Sequence, residues 1–322
     1  MLWCAVLWAA AVLVCSLTAY WVMFHPVCQS LDATREYGLS HGEFDEEILQ
    51  RPWQDFVFES PGGALVRGQY LPAGENAPVA VFVHGIAWTR YGMLKYMKHF
   101  MERGWSVVMF DLPGHGESPA PRRRMYPSYG FFEKYDVLEG LRVVKKFFPH
   151  APMTGLVGES LGAATALQCA LLAEEDASVR MDFVIADCSF SSAGEILLEQ
   201  LRMVRIPNFI AWPSSRLVRL LAWLLRGFDI CKASPMEAIL TANTPIMLVH
   251  GMEDWYVPTM MSVRMANARM SRSGALTRLV LIPGARHAKS VMIGPDQWVQ
   301  EAFAFIDEVA KKRQAASGNR RQ

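Results

Sequence analysis

The chain predicts an α/β fold, with a mostly parallel central sheet and helices on both faces. Three observations point there. From about residue 53 onward, short apolar runs of strand length alternate with amphipathic runs of helical length, the pattern of successive βα units. The 322 residues are 52% hydrophobic, enough for one large core. No internal repeat interrupts the series.

Residues 1–24, MLWCAVLWAAAVLVCSLTAYWVMF, carry no charged side chain. As a helix rising about 1.5 Å per residue, such a run crosses a hydrocarbon core of roughly 30 Å. Trp3, Trp8, Tyr20 and Trp21 lie toward its ends, where amphipathic aromatics favour the membrane interface. We read it as an uncleaved, single-pass N-terminal anchor. A cleaved signal needs a basic start and a small-residue cleavage site; here no Lys or Arg precedes the run and Tyr20 to Phe24 is bulky. The flanks hold too few basic residues to assign a side of the membrane. Residues 25–52, including GEFDEE, are polar and acidic and read as a tether. Residues 1–30 are accordingly expected to add nothing to the catalytic core.

Residues 53–322 then form the globular domain. Strands are expected at 79–85, 105–114, 153–158, 183–189, 245–251 and 276–284. Helices are expected at 92–104, 131–148, 160–175 and about 295–312. The interval at about 190–244 is too long for one crossover helix and is broken by Pro207 and Pro213. It reads as an inserted helical cap.

A net charge of +1 gives no global attraction to nucleic acid. The six cysteines show no CxxC spacing, which argues against a zinc site or a disulfide framework. No metal-ligand spacing and no GxGxxG is present. The chemistry is expected to need no cofactor and no metal.

Gly158-Glu159-Ser160-Leu161-Gly162 fits G-x-S-x-G, between an expected strand and an expected helix. Glycines there permit a sharp turn that presents Ser160 in a strained, exposed position. A serine hydroxyl needs a general base. His287, in PGARHAKS after the last expected strand, is the candidate, because that loop can pass over Ser160. His84, His115 and His250 lie in HG or PGHGES turns, where histidines usually hold loops. The imidazole needs an orienting carboxylate. Asp254 in VHGMEDWYVP is the first candidate and Asp187 in IADCS the second, while Asp111 precedes the serine in chain order. The backbone N–H of Leu161 is one expected oxyanion donor, and that of Ile86, after VFVHG, is the other.

HGIAWTR, DLPGHGES, GESLG, HGMEDWYVP and GARHA occur in the order seen in the α/β-hydrolase superfamily, and over roughly 53–312 the chain resembles it. Within the superfamily it is similar to membrane-anchored serine hydrolases of the Bem46-like and YqkD-like groups. The resemblance implies an α/β-hydrolase fold with a short cap and acyl-enzyme hydrolysis by Ser160, Asp254 and His287. The oxyanion loop reads HGIAW rather than HGGG, which sets the chain apart from the hormone-sensitive-lipase type.

On the substrate side, Arg216, Arg219 and Arg226 of RLVRLLAWLLRGF fall within roughly 80° on a helical wheel. Two readings stay open: a cap helix with a solvated basic edge, or a surface resting on anionic lipid. The arginines of PAPRRRMYPSYG read as a solvated loop or a headgroup contact. Trp88, Tyr91 and Trp255 either line an acyl pocket or simply pack. The expected function is a membrane-anchored serine hydrolase acting on an ester or thioester, with a lipid-like small molecule as partner. An amidase or peptidase on the same triad and a non-catalytic scaffold on the same fold are the rivals. A dehalogenase-like enzyme would carry Asp where this chain has Ser160.

Overall fold

A computed structural model describes residues 1–120 and 126–319. The three consecutive arginines of the PAPRRRMYPSYG loop lie outside these residues. Eight strands form one sheet in the order β1-β2-β4-β3-β5-β6-β7-β8. They are β1 Gln54–Glu59, β2 Leu65–Leu71, β3 Val79–Val83, β4 Ser106–Phe110, β5 Thr154–Glu159, β6 Phe183–Asp187, β7 Ile246–Gly251 and β8 Thr277–Ile282. From β4 across to β8 all pairings are parallel, while β1 and β2 join antiparallel. The six expected strands are present. The β1–β2 hairpin was not foreseen: its strands bury mainly one face, so they are short, mixed in polarity and carry no continuous apolar run.

The twelve helices among the described residues are α1 Leu2–Phe24, α2 Leu31–Ser40, α3 Glu46–Leu49, α4 Leu94–Met101, α5 Glu133–Phe147, α6 Leu161–Glu175, α7 Ala193–Met203, α8 Asn208–Arg226, α9 Pro235–Thr241, α10 Met260–Arg272, α11 Ser290–Ile293 and α12 Pro295–Asn319. The strand period of two sorts side chains into two cores. Val81, Val83 and Val108 pack with Val137 of α5 and Leu167 of α6 on one face. Ala80, Phe82 and Met109 pack with Met97 of α4 and Trp298 and Phe305 of α12 on the other. Buried on both faces, the central strands had to be uniformly apolar, and this made them legible.

The chain leaves β3 toward β4 on one side and returns to β5 on the other. That reversal opens a crevice at the C-terminal ends of β3 and β5. Three helices, α7 to α9, lie between β6 and β7. Pro207 precedes α8 as its N-cap, but Pro213 lies inside it rather than breaking it. Proline has no N–H to give the carbonyl four residues back. Here the Trp8 indole of α1 donates to that carbonyl, Phe209 O, at 3.1 Å.

The first 52 residues differ from the expectation. Residues 25–52 are not a free tether. Ser30 caps α2 by accepting from the Ala33 N–H, and Phe44 and Ile48 are buried in the core under the sheet. Nor is α1 separate from the globular domain. Met23 and Phe24 are 4% and 2% exposed and belong to the main core. Expecting residues 1–30 to add nothing to that core was therefore incorrect. Composition reported the apolar run but not the α8 surface that it covers.

Candidate active site

Ser160 is the hinge between β5 and α6, with φ 53° and ψ −112°. A non-glycine residue there is strained, and it persists because its neighbours over-determine it. Its N–H donates to Asp187 O at 2.9 Å. A Cβ on Gly162 would stand 2.0 Å from Val83 O, and one on Gly158 would stand 2.4 Å from Gly162 O. Glycine at both places allows helix, turn and β3 to approach this closely. Three more non-glycine residues with positive φ sit in the surrounding loops: Ala87, Cys188 and Ala288.

The structure brings three of the sequence-predicted side chains together. His287 Nε2 is 2.9 Å from Ser160 Oγ, and His287 Nδ1 is 2.7 Å from Asp254 Oδ2. The other oxygen, Asp254 Oδ1, accepts the backbone N–H of Tyr256 at 3.0 Å and of Val257 at 2.8 Å. Burial pushes the Asp254 pKa up, but hydrogen bonds with His250 and His287 outweigh it and hold the carboxyl at about 2. Asp254 is thus an ionised partner for a ring that must gain charge.

Asp187, the second candidate, does not reach His287. It accepts from Ser290 Oγ at 2.8 Å, Tyr96 Oη at 3.1 Å and Trp298 Nε1 at 3.1 Å. Asp111, which ends the run from β4, is bonded to Arg90. The loop after β3 lies close to the serine: a Cβ on Gly85 would stand 3.5 Å from Ser160 Cβ. Ile86 follows in that loop, and Leu161 is the first residue of α6. The free N–H groups at the start of a 15-residue helix face the serine.

Two polar supports escaped the sequence reading. His250, read only as a loop-holding histidine, lies 3.1 Å from Asp254 Oδ2 through Nε2 and also bonds Val257 O and Ser262 Oγ. Its position four residues before the acid, at the end of a buried strand, was the available signal. Lys95 pairs with Glu159, one residue before the serine, at 2.6 Å and donates to Ala288 O, one residue after His287, at 3.0 Å. Burial opposes the Lys95 charge, yet Glu159 and Glu43 outweigh it and raise its pKa. Residues 25–52 also touch the site. Gln29 N–H donates to Ala87 O at 2.8 Å, and Lys289 pairs with Glu43 at 2.5 Å. No local pattern marks either contact.

Of the two readings left open for Trp88, Tyr91 and Trp255, packing describes Trp88. Trp88 packs edge-on to Tyr37 of α2, and Trp255 is 64% exposed. The ring against His287 is Tyr256, with centroids 4.9 Å apart. Cys188 Sγ lies with Asp254 and His287, their ligand atoms all within 4.8 Å. As a metal set this is poor. Burial drives the Cys188 pKa well up, so no thiolate is available, and the His287 Nδ1 is already committed to Asp254.

Comparison with known proteins agrees with this architecture. The model of a family described as "Alpha/beta hydrolase family" matches residues 80–302, more than half of the chain. The uncharacterized protein YqkD of Bacillus subtilis is 28% identical over 276 residues, covering 85% of this chain and 86% of that protein. The uncharacterized protein Rv2307c of Mycobacterium tuberculosis is 23% identical over 260 residues, 80% of each chain. Among solved structures, the Pyrococcus furiosus esterase Pf2001 superposes with a TM-score of 0.64 at 16% identity, covering 82% of this chain and 93% of that one. The acylaminoacyl peptidase of Pyrococcus horikoshii superposes with a TM-score of 0.55 at 18% identity, over 79% and 40% respectively. The strained serine at a strand-to-helix turn and the matched family model lead to one conclusion: the chain belongs to the alpha/beta hydrolase family.

Proposed function

We propose that this hydrolase is a membrane-associated serine esterase, cleaving carboxylic ester or thioester bonds through an acyl-enzyme. Ser160 Oγ attacks the carbonyl carbon while His287 Nε2 takes its proton. Asp254 keeps the proton on Nδ1 and stabilises the imidazolium. The Ile86 and Leu161 N–H groups receive the developing oxyanion. His287 then returns the proton to the leaving alcohol or thiol, which departs. Water, deprotonated by the same ring, releases the acid and restores Ser160. α1 holds the enzyme at a bilayer, where apolar esters concentrate.

The observation that carries this reading is the hydrogen-bonded chain from Asp254 through His287 to Ser160, on a residue with positive φ at a helix start. Ser160→Ala should abolish labelling by a fluorophosphonate probe with the melting temperature unchanged. Its hydrolysis of p-nitrophenyl esters should fall by about 10³-fold or more. Labelling that persists in the variant would remove Ser160 from the role of nucleophile. A p-nitroanilide run beside the esters separates amide from ester preference.

A further inference from the structure

The apolar surface of this molecule is concentrated on one helix pair. α1 has 23 residues and no charged side chain, and Trp3, Leu7, Leu13 and Trp21 on it are exposed. α8 exposes Phe209, Trp212, Leu220, Trp223, Leu224 and Leu225. The two run side by side in the same direction. Trp8 donates to Phe209 O, Ser214 Oγ to Val12 O at 3.3 Å, and Arg226 to Tyr20 Oη at 3.0 Å and Phe24 O at 3.2 Å. Wherever α1 resides, α8 resides too.

That coupling restricts how the pair meets a bilayer. Arg216 and Arg219 sit at the middle of α8, with Arg219 ion-paired to Asp229. Helices crossing the membrane together would carry both arginines to its centre, where charged side chains are strongly disfavoured. Lying in the plane of one leaflet, the pair keeps both arginines within reach of the headgroups, and Trp212 and Trp223, on the same stripe of α8 as the arginines, take the interfacial level that amphipathic aromatics favour.

Between α1 and α7 runs an apolar groove of about 600 Å³. Its α1 wall sets Ala11, Cys15, Thr18 and Ala19 beside Val14 and Val22; Leu201 and Val204 stand opposite. One end is at Met23, whose carbonyl accepts the Tyr129 hydroxyl at 3.0 Å. Tyr129 packs on Phe190 at 5.9 Å, directly after the β6 loop that carries Cys188 and Ser189. From the Met23 end of the groove, packed side chains continue to the β6 loop beside the serine.

We propose that this groove takes one acyl chain of a phospholipid from the leaflet in which α1 and α8 lie. The occupant is a lipid chain because one wall of the groove is itself the uncharged helix that enters the bilayer. The size is that of an ordinary ligand pocket, roughly 300–1,000 Å³. This rests on the membrane-associated reading above and adds a place for the acyl part of the substrate.

The test uses the full chain and phosphatidylcholine vesicles containing a phosphatidylcholine with a diazirine on its acyl chain. After irradiation, adducts are mapped by mass spectrometry. Adducts should appear on Leu201 of α7 and on Val204, its C-cap, as well as on outward residues such as Trp223. Thr18→Trp replaces an exposed small residue and fills the groove. It should lose the α7 adducts, keep those on Trp223 and melt like the wild type. It should also lose rate on a long-chain ester while keeping its rate on p-nitrophenyl acetate. Adducts confined to outward residues, or α7 adducts that survive in Thr18→Trp, would overturn the groove while leaving membrane association intact. Failure of the protein to float with the vesicles would overturn both. Crosslinking needs no turnover, so it is independent of the chemistry at Ser160.

Discussion

Asp187 and Asp254 are the same residue type at the same edge of the sheet, one ending β6 and the other just beyond β7, and their surroundings assign them opposite work. Asp187 is fully buried, and burial raises its pKa; its partners are a serine, a tyrosine and a tryptophan, none of which carries a formal charge in that role. Asp254 is bonded to two histidines and two backbone N–H groups, and its pKa is held at about 2. A carboxylate that must answer a developing imidazolium needs to be ionised throughout the working pH range. One that ties β6 to α11 and α12 needs only acceptor oxygens. On the proposed mechanism, hydrogen-bond partners, rather than residue type or strand position, separate the reacting acid from the structural one.

The comparison breaks most sharply at Asp254. Asp254→Asn should lower turnover by about 10³–10⁴-fold, because the imidazole loses its tautomer and its counter-charge. The same variant should alter acid stability. The folded pKa is depressed, so Asp254 stabilises the fold above its ordinary value of 3.8, and this contribution disappears as pH falls toward about 2. Urea titrations across that window should show a steeper loss for the wild type than for the variant. Equal activity of the two would exchange the roles of the two aspartates.

His250→Ala removes one charge-assisted hydrogen bond from Asp254, worth about 1.5–3 kcal/mol. Turnover should fall roughly tenfold to a hundredfold, with KM little changed. If His250 acts through Asp254, the acid-unfolding midpoint should also move to higher pH. A lower melting temperature with no such movement would make His250 purely structural.

Asp187→Asn keeps one acceptor oxygen for Tyr96 and Trp298 and turns its NH2 to Ser290, whose hydroxyl can accept. Turnover should drop less than about tenfold, and the visible effect should be on melting temperature. Kinetics as poor as those of Asp254→Asn would refute the contrast.

Glu43→Gln is the mildest test. It unpairs Lys289, two residues after His287, from the N-terminal segment. A partly exposed pair of this kind is worth about 0.2–1 kcal/mol, so turnover should change less than about fivefold. A much larger loss would mean that residues 25–52 hold the His287 loop more firmly than this one pair implies.

The sequence by itself determined the parallel sheet, and it singled out Ser160, Asp254 and His287 as a candidate set. The reason is local. Strands buried on both faces must be apolar throughout, and a nucleophile turn needs glycine at fixed offsets within five residues. The β1–β2 hairpin was less legible, because strands buried mainly on one face mix polar and apolar residues. Contacts between distant parts of the chain were decided only in three dimensions. Gln29 bonds Ala87, Lys95 links Glu159 to Ala288, and Trp8 completes the hydrogen bonding of a helix more than 200 residues away. The choice between Asp187 and Asp254 belongs to the same class. Both residues end up buried at the sheet edge, and what distinguishes them is a histidine ring delivered from the loop after β8. The uncharged run at 1–24 divides in the same way. Its composition marks it as apolar, but only the fold shows that it packs along α8 and shares its last two residues with the core.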